Sequence, residues 1–314
     1  MSDGAPERSC LPHAVVVTYQ PDLQTLARML AALSRQVARV VIVDNGSSSR
    51  AGIAALAEAN DARFLPLGAN LGIAEAQNRG IEQALEDEAG NVLLMDQDTV
   101  LPPHAVRTLL ADLAVLLEQG VKVGSLGCAY RDSHDGRIAP ISRVASSGRR
   151  IERVAVDGAS GPVEADFVIA SGSLLPADVL RQVGLMEAPL FIDLVDMEWG
   201  FRASAKGFRH FQCPAAVMEH TLGNGRIRIH SRSIALHAPI RNYYSVRNAL
   251  FLALRNYVRP AWRIYFVRQA LAYTVVYTWK GDRRPTRLGY MLRGLADGLL
   301  GRAGAYRPGR ISQA

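Results

Sequence analysis

Asp96-Gln97-Asp98 follows directly on the apolar run Asn91 to Met95. Two carboxylates flanking one residue at the exit of a strand can approach a common point. Hard divalent cations take oxygen ligands, and magnesium or manganese typically joins one or two carboxylates to phosphate oxygens. A simple turn explains the same tripeptide, because Asp is frequent where strands end. What sets it apart is its company. Thr18-Tyr19 closes the run His13 to Thr18, and Asp44-Asn45-Gly46-Ser47 closes Val40 to Val43. Asp44 either accepts hydrogen bonds from ribose hydroxyls or a base N–H, or closes an Asx turn. Asn70-Leu71-Gly72 precedes a helical repeat. Asn70 either caps that helix or leaves the backbone N–H groups of the loop open to phosphates.

The densest acidic segment lies later, at Phe191-Ile192-Asp193-Leu194-Val195-Asp196-Met197-Glu198-Trp199. Asp196 falls near a predicted helix N-terminus, where the dipole favours the ionised carboxylate. Such a group can take the proton of an attacking hydroxyl. The competing reading is helix capping by solvated acids. Trp199 either stacks on a ring or packs in the core. His220 follows Glu219, and a neutral imidazole there either completes a site already holding carboxylates or is an ordinary surface or core histidine.

The elements that must position these groups are legible in the hydrophobic pattern. His13 to Thr18, Val40 to Val43, Arg63 to Leu67 and Asn91 to Met95 read as strands. Between them, apolar residues recur at helical spacing around Leu23 to Leu33, Ile53 to Glu58 and Ile73 to Ala84, and then after Val106. Alternating helices and continuously apolar strands predict an α/β fold with a parallel sheet covered on both faces. Ligands of such sheets bind beyond the carboxyl ends of the strands, where the polar residues above fall. Ser125 to Gly161, rich in Gly, Ser and Arg, reads as a variable loop region. A strand is predicted over Ala165 to Ala170, leading to Ser171-Gly172-Ser173. The acidic segment opens a helix to Lys206, and a last core strand is predicted near Ala215 to Met218.

The 314 residues carry a net charge of +7, unevenly placed. Fourteen Lys+Arg and two Asp+Glu lie from Arg241 onward, so the first 240 residues are net acidic. A basic end on an acidic body predicts an anionic partner, and its interleaved Trp262, Tyr265, Phe266, Tyr273, Tyr277 and Trp279 are the make-up of an interfacial helix. Packed helices or a homo-oligomer interface are the alternative use. Cys10, Cys128 and Cys213 show no metal-type spacing and no disulfide framework, which fits a reduced, cytoplasmic setting. No signal peptide and no transmembrane run of roughly 20 apolar residues is expected.

Taken together, the residues resemble glycosyltransferase family 2, inverting enzymes with the GT-A fold. The resemblance runs over about residues 12 to 222, through Val15-Val16-Val17-Thr18-Tyr19-Gln20-Pro21, Val43-Asp44-Asn45-Gly46-Ser47, Asn70-Leu71-Gly72-Ile73-Ala74, Ala76-Gln77-Asn78-Arg79-Gly80 and Asp96-Gln97-Asp98. It implies a donor site bordered by Thr18, Tyr19, Asp44, Asn45, Asn70, Gly72, Asn78, Asp96 and Gln97. It implies magnesium or manganese on Asp98 with Asp96, and His220 as a further ligand. Phe191-Ile192-Asp193-x-Val195-Asp196-x-Glu198-Trp199-x-x-Arg202 is similar to the acidic motif of bacterial rhamnosyltransferases, with Val195-Asp196 where the family more often has Glu-Asp. Asp196 thereby inherits the role of general base. Ser171, Gly172, Asp193, Glu198 and Trp199 are expected near sugar and acceptor. Arg241-x-x-Tyr244-x-x-Arg247-Asn248 resembles the same subgroup.

The expected organisation is a GT-A domain over 12–225 and a basic, aromatic-rich helical extension over 226–314. The expected partners are a dTDP-sugar, a saccharide or lipid-linked saccharide acceptor and the inner face of the bacterial plasma membrane, and no nucleic acid. UDP-galactofuranose or another hexose donor remains open. A nucleotidyltransferase would want a Gly-rich basic loop after the first strand, which Thr18-Tyr19-Gln20-Pro21 lacks. A non-catalytic binder of carbohydrate or nucleic acid has no use for clustered carboxylates.

Overall fold

The structure, a computed structural model, describes residues 11–132, 136–220, 226–229, 232–235 and 237–308. The first half alternates as the hydrophobic pattern predicts: β1 (His13–Thr18), α1 (Leu23–Leu33), β2 (Arg39–Asp44), α2 (Arg50–Ala59), β3 (Arg63–Pro66), α3 (Ile73–Glu86), β4 (Asn91–Asp96) and α4 (Ala105–Glu118). The β1–β2, β1–β4 and β2–β3 pairs are parallel. Their register aligns Thr18 with Asp44 and Val17 with Asp96, so the polar strand ends form one row along the carboxyl edge.

The second half departs from the expected loop region. Val123–Asp132 is a ten-residue core strand, β5, followed by β6 (Ile141–Val144) and β7 (Ile151–Val154), which pair as a separate hairpin. The strand predicted over Ala165 to Ala170 is instead β8 (Val163–Ala165) and β9 (Ser173–Pro176), with a turn at Ser171-Gly172 between them. Then come α5 (Ala177–Val183), α6 (Val195–Ala205) and β10 (Arg209–His220), longer than predicted and bulged between Cys213 and Val217. A small hairpin, β11 (Arg226–Ile229) and β12 (Arg232–Ala235), precedes α7 (Pro239–Leu254), α8 (Pro260–Lys280) and α9 (Arg284–Leu299). The main sheet runs β3-β2-β1-β4-β9-β5-β10-β8, with β9 antiparallel to both neighbours. Glycines hid β5 from the pattern, and one of them is required by contact: a Cβ on Gly127 would meet Val168 at 2.9 Å.

Two apolar layers cover the sheet. One packs α1, α2 and α4 under Ala14, Val16, Ile42 and Leu93. The other packs α3, α5, α6, α7 and α8 against Val15, Val43 and Leu94. The closest approach of α3 to the sheet is at Gly80, where a Cβ would be driven into Val15 Cγ1 and lie 3.0 Å from Val43 Cγ2. The α7–α9 helices are therefore not a loose tail, since Trp262, Phe266 and Met291 are buried in the same layer as α6. Overpacking a core typically costs about 1–3 kcal/mol. Gly80→Ala should lower stability to chemical denaturation by about that amount, with an unchanged denaturant slope.

Candidate active site

The carboxyl edge of the sheet opens into a cleft of about 720 Å³. It is lined by Tyr19, Asn45, Asn70, Gly72, Asp96, Gln97 and Asp98 on the side of the first strands. Ser171, Asp193, Asp196, His237 and Arg241 line the other side. Of the groups singled out in the sequence, the structure gathers Asp96, Asp98 and Asp196 here.

The first wall is tied together by its own polar groups. The Tyr19 N–H donates to Gln97 Oε1 at 2.8 Å, and Gln97 Nε2 donates to the Tyr19 carbonyl at 3.2 Å. Gln97 therefore clamps the loop after β1 to the loop after β4 while the two aspartates flank it. Asn45 Oδ1 accepts from the Leu71 N–H at 2.8 Å, and Asn45 Nδ2 donates to Asn70 Oδ1 at 3.1 Å. Asn70 Oδ1 also accepts from the Gly72 N–H at 3.0 Å. Asp44 and Thr18 sit behind this wall rather than in it. Thr18 Oγ1 donates to Asp44 Oδ1 at 3.2 Å, and the N–H of Ser47, three residues on, donates to the same carboxylate and closes the turn. Both side chains are buried.

The opposite wall carries the acids of the later segment. Asp196 stands in the first turn of α6, with its Oδ1 accepting the Met197 N–H at 2.9 Å. Burial at the floor of the cleft pushes its pKa up to about 6, against hydrogen bonds from the Met197 and Ala170 backbones, and the Asp96 charge adds to the rise. Asp96 is likewise raised to about 6, by burial first and then by Asp98, with Arg241 opposing. The β4 end is fixed by Ser171, whose Oγ accepts the Asp96 N–H at 3.2 Å, and by Gly172, whose N–H donates to the Leu94 carbonyl at 2.9 Å. Asp193 lines the cleft with both oxygens engaged. Arg241 donates to Oδ1 at 2.8 Å and Ser245 to Oδ2 at 2.7 Å.

Besides Thr18 and Asp44, three further expected contact residues are not brought to the cleft. Asn78 binds the backbone of Met186, donating to its carbonyl at 2.9 Å and accepting from its N–H at 2.8 Å. Glu198 is 0% exposed, held by Arg202 at 2.8 Å and by the Tyr257 hydroxyl at 2.7 Å. Trp199 is buried in the core, with its indole N–H on the Gly184 carbonyl at 2.8 Å. Helical geometry explains these last two. Only one face of α6 can look into the cleft, and Asp196 occupies it. The His220 side chain lies outside the described residues. Its backbone closes β10 next to an antiparallel bridge between Glu219 and Val100, beside the Asp96-Gln97-Asp98 loop.

Arg241 and Ser245 are the residues whose roles the sequence did not reveal. With Asn248 they recur at i, i+4 and i+7, which places three polar residues on one face of the helix. That periodicity is the signal by which they are recognisable.

A row of carboxylates at the carboxyl edge of an α/β sheet, facing a half-buried aspartate across a cleft, is the arrangement of a nucleotide-sugar transferase. The family profile "Glycosyl transferase family 2" matches residues 14–155. The dTDP-rhamnosyl transferase RfbF of Shigella flexneri is 32% identical over 246 residues, covering 78% of this chain and 81% of that protein. The N-acetylglucosaminyl-diphospho-decaprenol L-rhamnosyltransferase of Mycobacterium tuberculosis is 30% identical over 251 residues, 71% of this chain and 80% of the relative. The chain belongs to glycosyltransferase family 2. Solved structures of the same fold include GalNAc-T7 with UDP, GalNAc and Mn2+, at TM-score 0.56 and 14% identity, covering 93% of this chain and 58% of that one. Residues 1–349 of S. aureus TarS with UDP-GlcNAc superpose at TM-score 0.53 and 16% identity, covering 92% and 83%.

The raised carboxylates carry a stability consequence. In the unfolded chain an Asp ionises near 3.9. A folded-state pKa near 6 means that folding takes up a proton between those values, so ionisation above about pH 6 opposes folding. Without divalent cations, Asp196→Asn should be more stable than the natural protein at pH 7.5, by on the order of 1–3 kcal/mol. The difference should shrink as the pH falls through 6 towards 4. Thermal unfolding of both proteins across that range checks it.

Proposed function

We propose that the chain transfers L-rhamnose from dTDP-L-rhamnose, with inversion, to a saccharide or lipid-linked saccharide of a bacterial surface polysaccharide. The observation that carries this reading is the placement of Asp196 across one cleft from Asp96 and Asp98. The two rhamnosyltransferase relatives support the choice of sugar, and the decaprenol named for the mycobacterial one supports a lipid-linked acceptor.

The donor diphosphate fits between the Tyr19, Asn45 and Asn70 wall and the Asp96–Asp98 edge. Those two aspartates suit a hard divalent cation. Burial and the neighbouring Asp98 charge disfavour ionisation of Asp96, and a cation relieves that. Among the described residues no third His, Cys, Asp or Glu joins them in a cluster. Magnesium or manganese usually takes only one or two carboxylates beside substrate phosphates, so two suffice. A bound cation supplies neutralisation of the charge that develops on the departing diphosphate. Asp196 takes the proton from the acceptor hydroxyl as that oxygen attacks the anomeric carbon from the face opposite the nucleotide. A pKa near 6 leaves it mostly ionised at neutral pH yet basic enough to hold the proton.

Turnover of dTDP-L-rhamnose should therefore disappear with a chelator and return with manganese or magnesium. Asp196→Asn should lower kcat by on the order of 10²- to 10⁴-fold while dTDP binding survives. Retained turnover in that variant removes Asp196 from its role. Preference for UDP-galactofuranose overturns the donor and leaves the reaction class standing.

The working location we propose is the inner face of the plasma membrane, reached through α8. Among the described residues no helix is long and apolar enough to cross a membrane. Ile264, Val267, Leu271, Val275 and Trp279 are exposed at spacings of three and four, which makes one apolar stripe. Arg263, Arg268 and Lys280 are exposed on the same helix, an interfacial make-up that suits anionic lipid. Deleting the helix would destroy the core through Trp262 and Phe266, so the stripe itself is the test. A triple variant with Ile264, Leu271 and Val275 changed to Ser should keep its circular dichroism and lose binding to phosphatidylglycerol vesicles. Unchanged vesicle binding sinks the idea. Loss of a dimer in sedimentation would assign the stripe to self-association instead.

A further inference from the structure

The backbone leading into Asp196 is held in an unfavourable conformation. Phe191 has φ +67° and ψ −63°, with the Ile192 N–H donating to the Leu190 carbonyl at 2.8 Å. That is a γ-turn of the rare, positive-φ kind. Asp193 follows at φ +68° and Leu194 at φ +63°. Three non-glycine residues in four positions therefore occupy left-handed backbone, which persists only where the surroundings over-determine it. Leu194 is the N-cap of α6, and Asp196 stands in its first turn. The direction in which α6 leaves this segment sets where the Asp196 carboxylate stands.

What over-determines the segment is α7. Asn248 is 0% exposed, and its amide Nδ2 donates to three carbonyls: Leu190 at 3.0 Å, Ile192 at 2.8 Å and Asp193 at 2.9 Å. Arg247 Nη2 adds a bond of 2.8 Å to the Leu190 carbonyl, and its guanidinium is itself fixed over the rings of Tyr243 and Tyr244. The Phe191 ring stacks on Tyr244 at 4.9 Å. The Asp193 carboxylate is anchored at both oxygens, by Arg241 and by Ser245. On the far side the segment presses on the donor-side loop. A Cβ at Gly72 would lie 2.6 Å from the Phe191 carbonyl oxygen.

We propose that the polar face of α7, Arg241, Ser245 and Asn248, is a positioning device for the general base. It gathers the carbonyls of residues 190 to 193 and the Asp193 carboxylate, and so aims Asp196 at the acceptor hydroxyl. Asp193 in this arrangement is an anchor of the base rather than a contact to sugar. The inference rests on the assignment of Asp196 as base.

The experiment compares Asn248→Asp, Ser245→Ala, Ser245→Thr and Asp196→Asn with the natural enzyme. Donor turnover is expressed per dTDP-binding site counted by calorimetry. Asn248→Asp keeps the shape and removes both amide donors, so kcat should fall by on the order of 10²-fold, the effect expected from a misplacement of about 1 Å. Ser245→Ala should lose roughly tenfold in kcat, and Ser245→Thr, which keeps the hydroxyl, should recover most of it. The dTDP affinity of all three should stay within about threefold of the natural value. A packing role reverses the serine pair, with Ala tolerated and Thr harmful, and overturns the proposal. So does a dTDP affinity that falls in step with kcat, or near-natural kcat in both Ser245→Ala and Asn248→Asp. If Asn248→Asp does not fold, the serine pair alone decides. Full turnover by Asp196→Asn identifies failure of the base assignment itself, separately from failure of the positioning.

Discussion

Four carboxylates, Asp96, Asp98, Asp193 and Asp196, open onto one cleft, and for Asp96 and Asp196 burial and a neighbouring like charge oppose ionisation. The four have different partners. Asp193 has Arg241 and Ser245 on its oxygens. Asp196 has backbone N–H groups, which stabilise the charge without neutralising it. Asp96 has the opposing charge of Arg241, and Asp98 beside it is exposed, which suits the cation site proposed above. The distribution separates the roles. A carboxylate neutralised by a guanidinium makes a good anchor and a poor base, whereas one partly stabilised by amides stays available for a proton.

The sheet and α7 divide the work of bringing these groups together. Parallel register delivers Thr18, Asp44 and Asp96 to one edge from residues far apart in sequence, because each strand simply ends there. Nothing so automatic delivers Asp196. Its segment runs from α5 into α6 over the top of the sheet, and extended or helical backbone would not turn it inward. Left-handed residues make the turn, and the Asn248 amide holds it. The core and α6 are continuous here, since Phe201 of α6 packs edge-on at 6.1 Å against Phe266 of α8.

The first half of the fold was legible because buried parallel strands are continuous apolar runs and their helices are amphipathic. β5 was not, because its glycines and cysteine dilute the β-branched signal, although contact with Val168 is what requires Gly127. The site was legible as a set of residue types at strand ends, and less so as directions. Asn78, Glu198 and Trp199 stood in the right segments but point into the interior, and a one-residue step on a helix is about 100° of rotation. Asp44 illustrates the same limit. Both the ligand reading and the turn reading were open in the sequence, and the Ser47 N–H on its carboxylate gives the turn a physical basis.

α8 shows why composition alone left two uses open for the C-terminal helices. Its aromatic and basic residues suggest an interfacial tail, yet they divide between two faces with different fates. Trp262 and Phe266 are buried, and the Trp262 indole N–H donates to Asp166 Oδ2 at 2.6 Å, pinning the helix to the residue just after β8. Ile264, Leu271 and Val275 stay outside. A helix pinned on one face to the body that carries α6 can only present its other face as part of that rigid body. Whatever covers the outer stripe thus also fixes the orientation of the cleft relative to it. For an acceptor that is itself held in a surface, that orientation decides whether its hydroxyl can reach Asp196.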